Sequence, residues 1–295
     1  MRPNFFIVGA PKCGTTAIND YLAQHPDIFM ATKELHYFGK DLKTRINLSE
    51  EEYQLEFQGA TNEKIKGEAS VWYLYSKNAA REIKAYSPHA KILIMLRNPI
   101  EVIHSLHSQH LYDGNEDVLD FETAIGLDED RKKGKRLPRS VDFLQLPPYL
   151  ESVRYAEQVK RYFEVFGMNN VHIILYDDFV KETNHVVKKV LQFLGVNTEI
   201  NLAYPVVNPN KEIKNFYLHR LIKSPATNIK NLVRVLLPFK LLRHFLMKQI
   251  LDRNIRIKRR KAINEELNLR LKQYFEDDIK LLSKLIERDL SAWME

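Results

Sequence analysis

Phe5-Phe6-Ile7-Val8-Gly9-Ala10-Pro11-Lys12-Cys13-Gly14-Thr15-Thr16-Ala17 is the stretch on which the fold of this chain turns. Four apolar residues, a turn bounded by glycines and two threonines predict a buried strand, an anion-binding loop and the start of a helix. Gly9 and Gly14 have the spacing of the glycines in G-x-x-x-x-G-K-[ST], the phosphate loop of nucleotide-binding proteins. Thr15 stands where that pattern places its lysine, and the lysine of this loop is Lys12, two residues before Gly14. Backbone N–H groups and the positive end of the following helix still favour an anion there, with the Thr15 and Thr16 hydroxyls as further donors. The lysine that reaches the outer phosphates of a nucleoside triphosphate is displaced, so the loop suggests a phosphate of a different donor.

Lys91-Ile92-Leu93-Ile94-Met95-Leu96-Arg97 predicts a second core strand, apolar until Arg97. Asn98-Pro99 then opens a helix carrying Ile100, Val102, Ile103 and Leu106 on one face. Val171-His172-Ile173-Ile174-Leu175 predicts a third strand, and shorter ones are expected at 27–30 and from Gly67. Helices predicted over 16–24, 78–85, 149–166, from Asp177 to Gly195 and over 267–293 alternate with or follow them. The alternation implies an α/β, P-loop-like three-layer fold: a central parallel sheet, helices on both faces and a helical C-terminal extension, in one domain over 1–295. Ligands of such sheets bind beyond the carboxyl ends of the strands, which puts residues 12–16 and Arg97 on one rim.

In that setting Pro11-Lys12-Cys13-Gly14-Thr15-Thr16 resembles the 5′-phosphosulfate loop of sulfotransferases that use 3′-phosphoadenosine-5′-phosphosulfate (PAPS). Lys33-Glu34-Leu35-His36-Tyr37-Phe38 is similar to the Lys-Glu-x-His-Phe-Phe stretch of the heparan-sulfate-type branch, with Tyr37 replacing a phenylalanine. Leu96-Arg97-Asn98-Pro99 with Ser105 resembles the family's 3′-phosphate site, and Asp289-Leu290-Ser291-Ala292-Trp293 its C-terminal packing element. The match runs in order from about residue 4 to 195 and returns near the C-terminus. It implies PAPS as co-substrate without a metal, held by Pro11, Lys12, Cys13, Gly14, Thr15, Thr16 and Ala17 at the 5′ end and by Arg97 and Ser105 at the 3′ end. Lys12 is the candidate for stabilising the bridging oxygen, as positive charge does in phosphoryl transfer. Glu34 is the candidate general base for the acceptor hydroxyl. Lys33, His36 and Glu68 are expected on the substrate side, His36 also as a support of its loop. Many relatives close over the 3′-phosphate with a distal Lys-Gly loop that has no match here; Lys211 and the basic residues 253–261 are candidates to stand in for it.

Composition sets bounds around this site. An apolar content of 44% with 11% aromatics is ample for a packed core in 295 residues. Cys13 is the only cysteine, which excludes an intramolecular disulfide and fits a reducing compartment or indifference to redox. A helix N-terminus can lower a thiol pKa, but without a partner cysteine Cys13 reads first as a small residue that fits the turn. Met1-Arg2-Pro3-Asn4 leads directly into the first strand and no run approaches the ~20 apolar residues that span a bilayer, so a cytoplasmic location is expected. His104, His107 and His110 fall near one helical face; with no acidic or cysteine ligand beside them they read as packing residues and not as a metal site. Residues 112–148 look irregular, and their acidic and basic runs read as solvated faces or as a functional loop.

The net charge of +7 is uneven: 230–261 holds eleven Lys or Arg against one acid, Asp252. Leu232, Val233, Val235, Leu236 and Leu237 precede Pro238, and Leu241, Leu242, Phe245, Leu246, Ile250 and Leu251 follow it at helix-like spacing, interleaved with cations. The segment 225–262 is therefore expected as a basic helical insert, either lying on an anionic membrane or packed as a hairpin on the domain. The resemblance implies a hydroxyl-bearing acceptor, carbohydrate or glycolipid, and no nucleic-acid partner. A P-loop nucleoside or nucleotide kinase and a non-enzymatic polyanion-binding module are the alternatives.

Overall fold

The computed structural model describes residues 2–42, 47–138, 147–205, 211–223, 239–257, 260 and 262–295. Phe5–Gly9 (β1), Ile28–Met30 (β2), Ile65–Ala69 (β3), Lys91–Leu96 (β4) and Val171–Leu175 (β5) form one sheet in the order β2-β3-β1-β4-β5. All its neighbours run parallel, with Phe5 of β1 opposite Gly67 of β3 on one side and Lys91 of β4 on the other. The apolar runs occupy the centre because strands covered on both faces have no side for polar residues: all five residues of β1 are buried, as are five of six in β4. The edge strand β5 leaves His172 and Ile173 partly exposed.

From β1 the chain crosses to the edge strand β2, steps back inward to β3, and then passes to the other side of β1 for β4 and β5. Right-handed crossovers in opposite directions place their helices on opposite faces of the sheet. Thr15–Leu22 packs with Thr183–Leu194, while Tyr155–Phe166 packs against Ala79–Tyr86 and the closing helix Glu265–Leu285. The α/β, P-loop-like architecture expected from the alternation is thus the one observed, and because the connections leaving the neighbouring strands β1 and β4 run in opposite directions, a crevice opens at their carboxyl ends.

Several expected boundaries move. The helix expected over 149–166 is two, Tyr149–Ser152 and Tyr155–Phe166, because Asp278 Oδ2 of the closing helix accepts the Tyr155 N–H at 2.8 Å and starts a new helix there. The helix expected from Asp177 to Gly195 breaks at Glu182 into Tyr176–Lys181 and Thr183–Leu194. The closing helix ends at Leu285, and Leu290 and Trp293 then fold back as buried residues. Trp293 donates its indole N–H to Asp177 Oδ2 at 3.2 Å, while its carbonyl accepts from Asn98 Nδ2 at 3.2 Å.

Of the stretch 112–148, residues 139–146 lie outside the described residues; the part from Asn115 to Lys133 is not the irregular, solvated stretch its charge runs suggested. It holds the helices Phe121–Gly126 and Asp128–Lys132, organised by a buried ion pair in which Arg131 Nη1 and Nη2 donate to Glu116 Oε2 and Oε1 at 2.6 and 2.7 Å. Tyr149 OH and the backbone N–H groups of Asp117 and Val118 complete the carboxylate's shell. In the basic segment, Lys240–Arg253 is a helix and Ile255–Ile257 (β7) pairs antiparallel with Lys211–Ile213 (β6). Leu232, Val233, Val235, Leu236, Leu237 and Pro238 lie outside the described residues, as do Lys258, Arg259 and Lys261. Among the described residues no helix is long and apolar enough to cross a membrane.

Candidate active site

The loop after β1 is shaped by two glycines. A Cβ on Gly9 would sit 2.6 Å from the Val71 carbonyl oxygen, and one on Gly14 would meet the Tyr176 and Phe179 rings at 3.3 Å. Gly14 is left-handed, at φ 88°, and turns the chain into the helix Thr15–Leu22, whose N-terminus has no side-chain cap. The first turn of a helix presents N–H groups without intrahelical acceptors, so this end is built to receive an anion. Lys12 is itself left-handed, at φ 63°, a conformation that costs a non-glycine residue roughly 1 kcal/mol or more and persists where packing over-determines it.

Three cations, Lys12, Arg97 and Arg260, lie close enough to repel one another electrostatically at this loop. Lys12 Nζ donates to Gln109 Oε1 at 3.1 Å on the helix Pro99–Asp113. Burial holds its ammonium below the usual lysine range, with Arg260 and Arg97 adding repulsion and Asp113 opposing it. Arg97, at the end of β4, donates its Nε to Glu101 Oε2 at 2.7 Å and lies over the Tyr176 ring at 4.4 Å. Arg260 arrives from the distal basic segment; burial and then Arg97 hold its guanidinium below the usual arginine range. Like charges gathered away from water are unfavourable until an anion neutralises them, so the cluster marks where negative charge belongs. Ser105 lies on the same helix as Gln109, four residues earlier, and is buried.

The loop carrying Glu34 approaches from the other side. Glu34 Oε2 is 2.9 Å from His36 Nε2 and Oε1 is 3.9 Å from Lys33 Nζ, with 26% of the carboxylate side chain still exposed. Lys33 Nζ donates to Thr15 Oγ1 at 3.1 Å and Thr16 Oγ1 at 3.0 Å, so it faces the phosphate loop. His36 has φ 48°, and the N–H groups of Leu35 and His36 both donate to Ser70 Oγ, at 3.2 and 3.1 Å. Ser70 Oγ and Tyr73 OH each donate to Glu68 Oε1 at 2.7 Å, and Tyr53 OH donates to Oε2 at 2.5 Å. Tyr73 OH in turn accepts the Phe38 N–H, and Tyr37 stacks on Tyr53 with centroids 4.2 Å apart.

Glu68, expected toward the substrate, is therefore fully enclosed beneath the loop, and an acceptor cannot reach it without parting these hydroxyls. Burial pushes its carboxyl up, against the three hydroxyl donors. Cys13 is also fully buried; burial drives its thiol up to about 12, so it is a packing residue and not a nucleophile. His104 and His110 are lowered to about 4 by burial, and His107 Nε2 lies 2.8 Å from the Val118 carbonyl oxygen. The three pack against Phe121 and Tyr149, and among the described residues no group of three or more His, Cys, Asp or Glu is arranged to hold a metal ion. Gln109 escaped the sequence reading although its signal was there: Ser105, Gln109 and Asp113 follow at four-residue steps along one helix face.

Comparison with known proteins shows the family of the chain. The sulfotransferase domain pattern matches residues 2–284. A crystal structure of a sulfotransferase from Alicyclobacillus acidocaldarius superposes with a TM-score of 0.74 at 30% identity, covering 100% of both chains. Carbohydrate sulfotransferase 15 of Rattus norvegicus is 28% identical over 282 residues, which is 77% of this chain and 47% of that protein. The membrane-associated sulfotransferase kil1 of Dictyostelium discoideum is 22% identical over 299 residues, 77% of this chain and 62% of that protein. The chain thus spans between about half and two thirds of the length of these two relatives. It belongs to the sulfotransferase domain family.

Proposed function

We propose that this chain transfers a sulfuryl group from PAPS to a hydroxyl of a carbohydrate or glycolipid by in-line displacement. The observation that carries the proposal is the convergence of Lys12, Arg97 and Arg260 above the uncapped helix N-terminus, with the Glu34 carboxylate tied to the same loop through Lys33. The donor supplies the sulfuryl group and leaves as adenosine 3′,5′-bisphosphate. Residues 11–17 hold its 5′-phosphate, and Arg97, Ser105 and Arg260 its 3′-phosphate, with Arg260 in the place of the distal loop missing from the sequence. Glu34 accepts the proton of the acceptor hydroxyl as that oxygen bonds to sulfur, and His36 and Lys33 orient the carboxylate. Lys12 stabilises the charge left on the phosphate oxygen when its bond to sulfur breaks. A sulfuryl group carries less charge than a phosphoryl group, so cationic side chains can do without a metal what magnesium does in kinases.

Calorimetric titration with adenosine 3′,5′-bisphosphate in the presence of a chelator tests this reading. Metal-independent binding, together with transfer of labelled sulfate to carbohydrates, is expected. Binding of ATP that requires magnesium would overturn it in favour of a kinase, and retention on heparin without nucleotide binding would favour a polyanion-binding module.

The carbohydrate acceptor is favoured by the likeness to carbohydrate sulfotransferase 15. A glycolipid is favoured by the basic segment, where Leu242, Phe245, Leu246 and Ile250 are exposed on the helix Lys240–Arg253, with Phe239 exposed at its N-cap and cations interleaved. We read this helix as a peripheral contact with anionic lipid on a cytoplasmic, single-domain enzyme; one similar protein is named as membrane-associated. Co-sedimentation with phosphatidylserine vesicles that falls as salt rises and is lost in Phe245→Glu is the expected result. No sedimentation at low salt would leave the helix as a packed insert.

A further inference from the structure

We propose that Lys33 is a donor-side positioning residue, which aims the Thr15 and Thr16 hydroxyls at the donor's 5′-phosphate and links that phosphate to the Glu34 carboxylate. The sequence placed Lys33 beside the acceptor; its contacts lie on the other side. Its ammonium reaches back to both threonine oxygens, at 3.1 and 3.0 Å, while its own carboxylate neighbour is 3.9 Å away. Only 15% of the Lys33 side chain is exposed.

A hydroxyl has one donor hydrogen and two acceptor lone pairs. With a lone pair of each threonine oxygen occupied by an ammonium N–H, the hydroxyl hydrogens must point elsewhere. Thr15 and Thr16 form the first turn of the helix, where the backbone N–H groups also point at an incoming anion. Lys33 thus turns two freely rotating hydroxyls into fixed donors before the donor arrives, which spares their ordering on binding.

The same ammonium links the two halves of the site. Burial holds it below the usual lysine range, with Glu34 and then Asp20 opposing. A phosphate bound at Thr15 and Thr16 would favour its charged form, and that charge faces the Glu34 carboxylate. The titratable groups around this pair are Glu34 and His36 on the loop, Asp20 on the helix Thr15–Leu22, and Glu68 of β3, which faces His36.

The proposal rests on the PAPS reading, and a double-mutant cycle separates the two. Adenosine 3′,5′-bisphosphate affinity is measured by calorimetry for wild type, Lys33→Met, Thr16→Val, the double variant and Lys33→Arg. Lys33→Met is expected to weaken binding about tenfold, the double variant no more than the weaker single, and Lys33→Arg to recover most of the loss. Unchanged affinity in Lys33→Met, or losses that add in the double variant, overturn the proposal. If the wild type binds no bisphosphate, the PAPS reading fails and takes this one with it. Near-ultraviolet circular dichroism of each variant identifies loss of fold, in which case Lys33→Gln replaces Lys33→Met in the cycle.

Discussion

Lys12 Nζ donates to Gln109 Oε1 at 3.1 Å, and Gln109 Nε2 donates onward to Asp113 Oδ2 at 2.7 Å. The loop after β1 is thereby tied to the helix that follows β4, one turn beyond Ser105. A half-buried ammonium beside two guanidiniums needs such a chain, because buried charge is costly unless hydrogen-bonded. Gln109→Leu should lower turnover roughly tenfold, about 1.4 kcal/mol and near the lower end for a hydrogen bond to a charged group. Lys12→Ala should lower it further, with donor affinity less affected than turnover in both. Single-turnover kinetics beside bisphosphate titration check this; a purely affinity-based loss would remove Lys12 from the leaving oxygen.

Arg97 has partners that a ligand would replace. Its guanidinium pairs with Glu101, which is half exposed, and rests on Tyr176. Arg97→Ala should weaken bisphosphate binding by roughly 2–5 kcal/mol if the charge pair is desolvated. Glu101→Gln should strengthen binding instead, since Arg97 then gives up less. Equal affinity in all three proteins would place the 3′-phosphate elsewhere.

Glu34→Gln keeps the shape and one acceptor oxygen for His36, but it cannot take a proton. It should bind bisphosphate as wild type does and lose roughly 10²–10⁴ in rate. Near wild-type turnover would move the base to another group, with His36, 2.9 Å away, the first to examine.

The Glu116–Arg131 pair predicts a stability effect far from the loop. Both side chains are essentially without exposure, so Arg131→Met strands a buried carboxylate and should cost about 3–5 kcal/mol in denaturant unfolding. Adding Glu116→Gln should recover part of the loss, because the neutral amide oxygen, in the place of Oε1, still accepts from Asp117 and Val118, and the amide N–H in the place of Oε2 can donate to the Tyr149 hydroxyl. No recovery would show that packing, and not charge, sets the cost.

Asp128 gives a pH dependence. Burial pushes its carboxyl up to about 6, against hydrogen bonds that include the Leu150 N–H at 2.9 Å. The folded state then holds a proton that the unfolded state releases near pH 4. The associated stability is complete below that value and is lost as pH rises through about 6. Asp128→Asn keeps an acceptor for Leu150 without the charge, so it should match wild type near pH ~3.5, below the unfolded pKa, and exceed it by roughly 1–3 kcal/mol at pH ~7.5. Thermal unfolding at both pH values checks the sign; an equal difference at each would assign the effect to shape.

What the sequence determined by itself is local. Runs such as Phe5 to Val8 and Ile92 to Leu96, short and bounded by turn residues, favour strands covered on both faces, and Gly9 and Gly14 admit a turn that few other residues allow. Those features place residues 12–16 and Arg97 on one rim before any tertiary contact is known. The contacts between side chains remote in sequence were decided only by packing. Lys33 reaches back to Thr15 and Thr16, Gln109 meets Lys12 across 97 positions, and Arg260 comes to Arg97 from the far end of the chain. Glu68 looks like any carboxylate at a strand end until Tyr53, Ser70 and Tyr73 enclose it. Glu116 and Arg131 likewise sit in runs of like charge that carry no periodicity to mark them as buried. Periodicity records which face of an element is apolar; it does not record which charged residue on another element will complete a buried hydrogen-bond shell, because that depends on where the rest of the chain brings its donors.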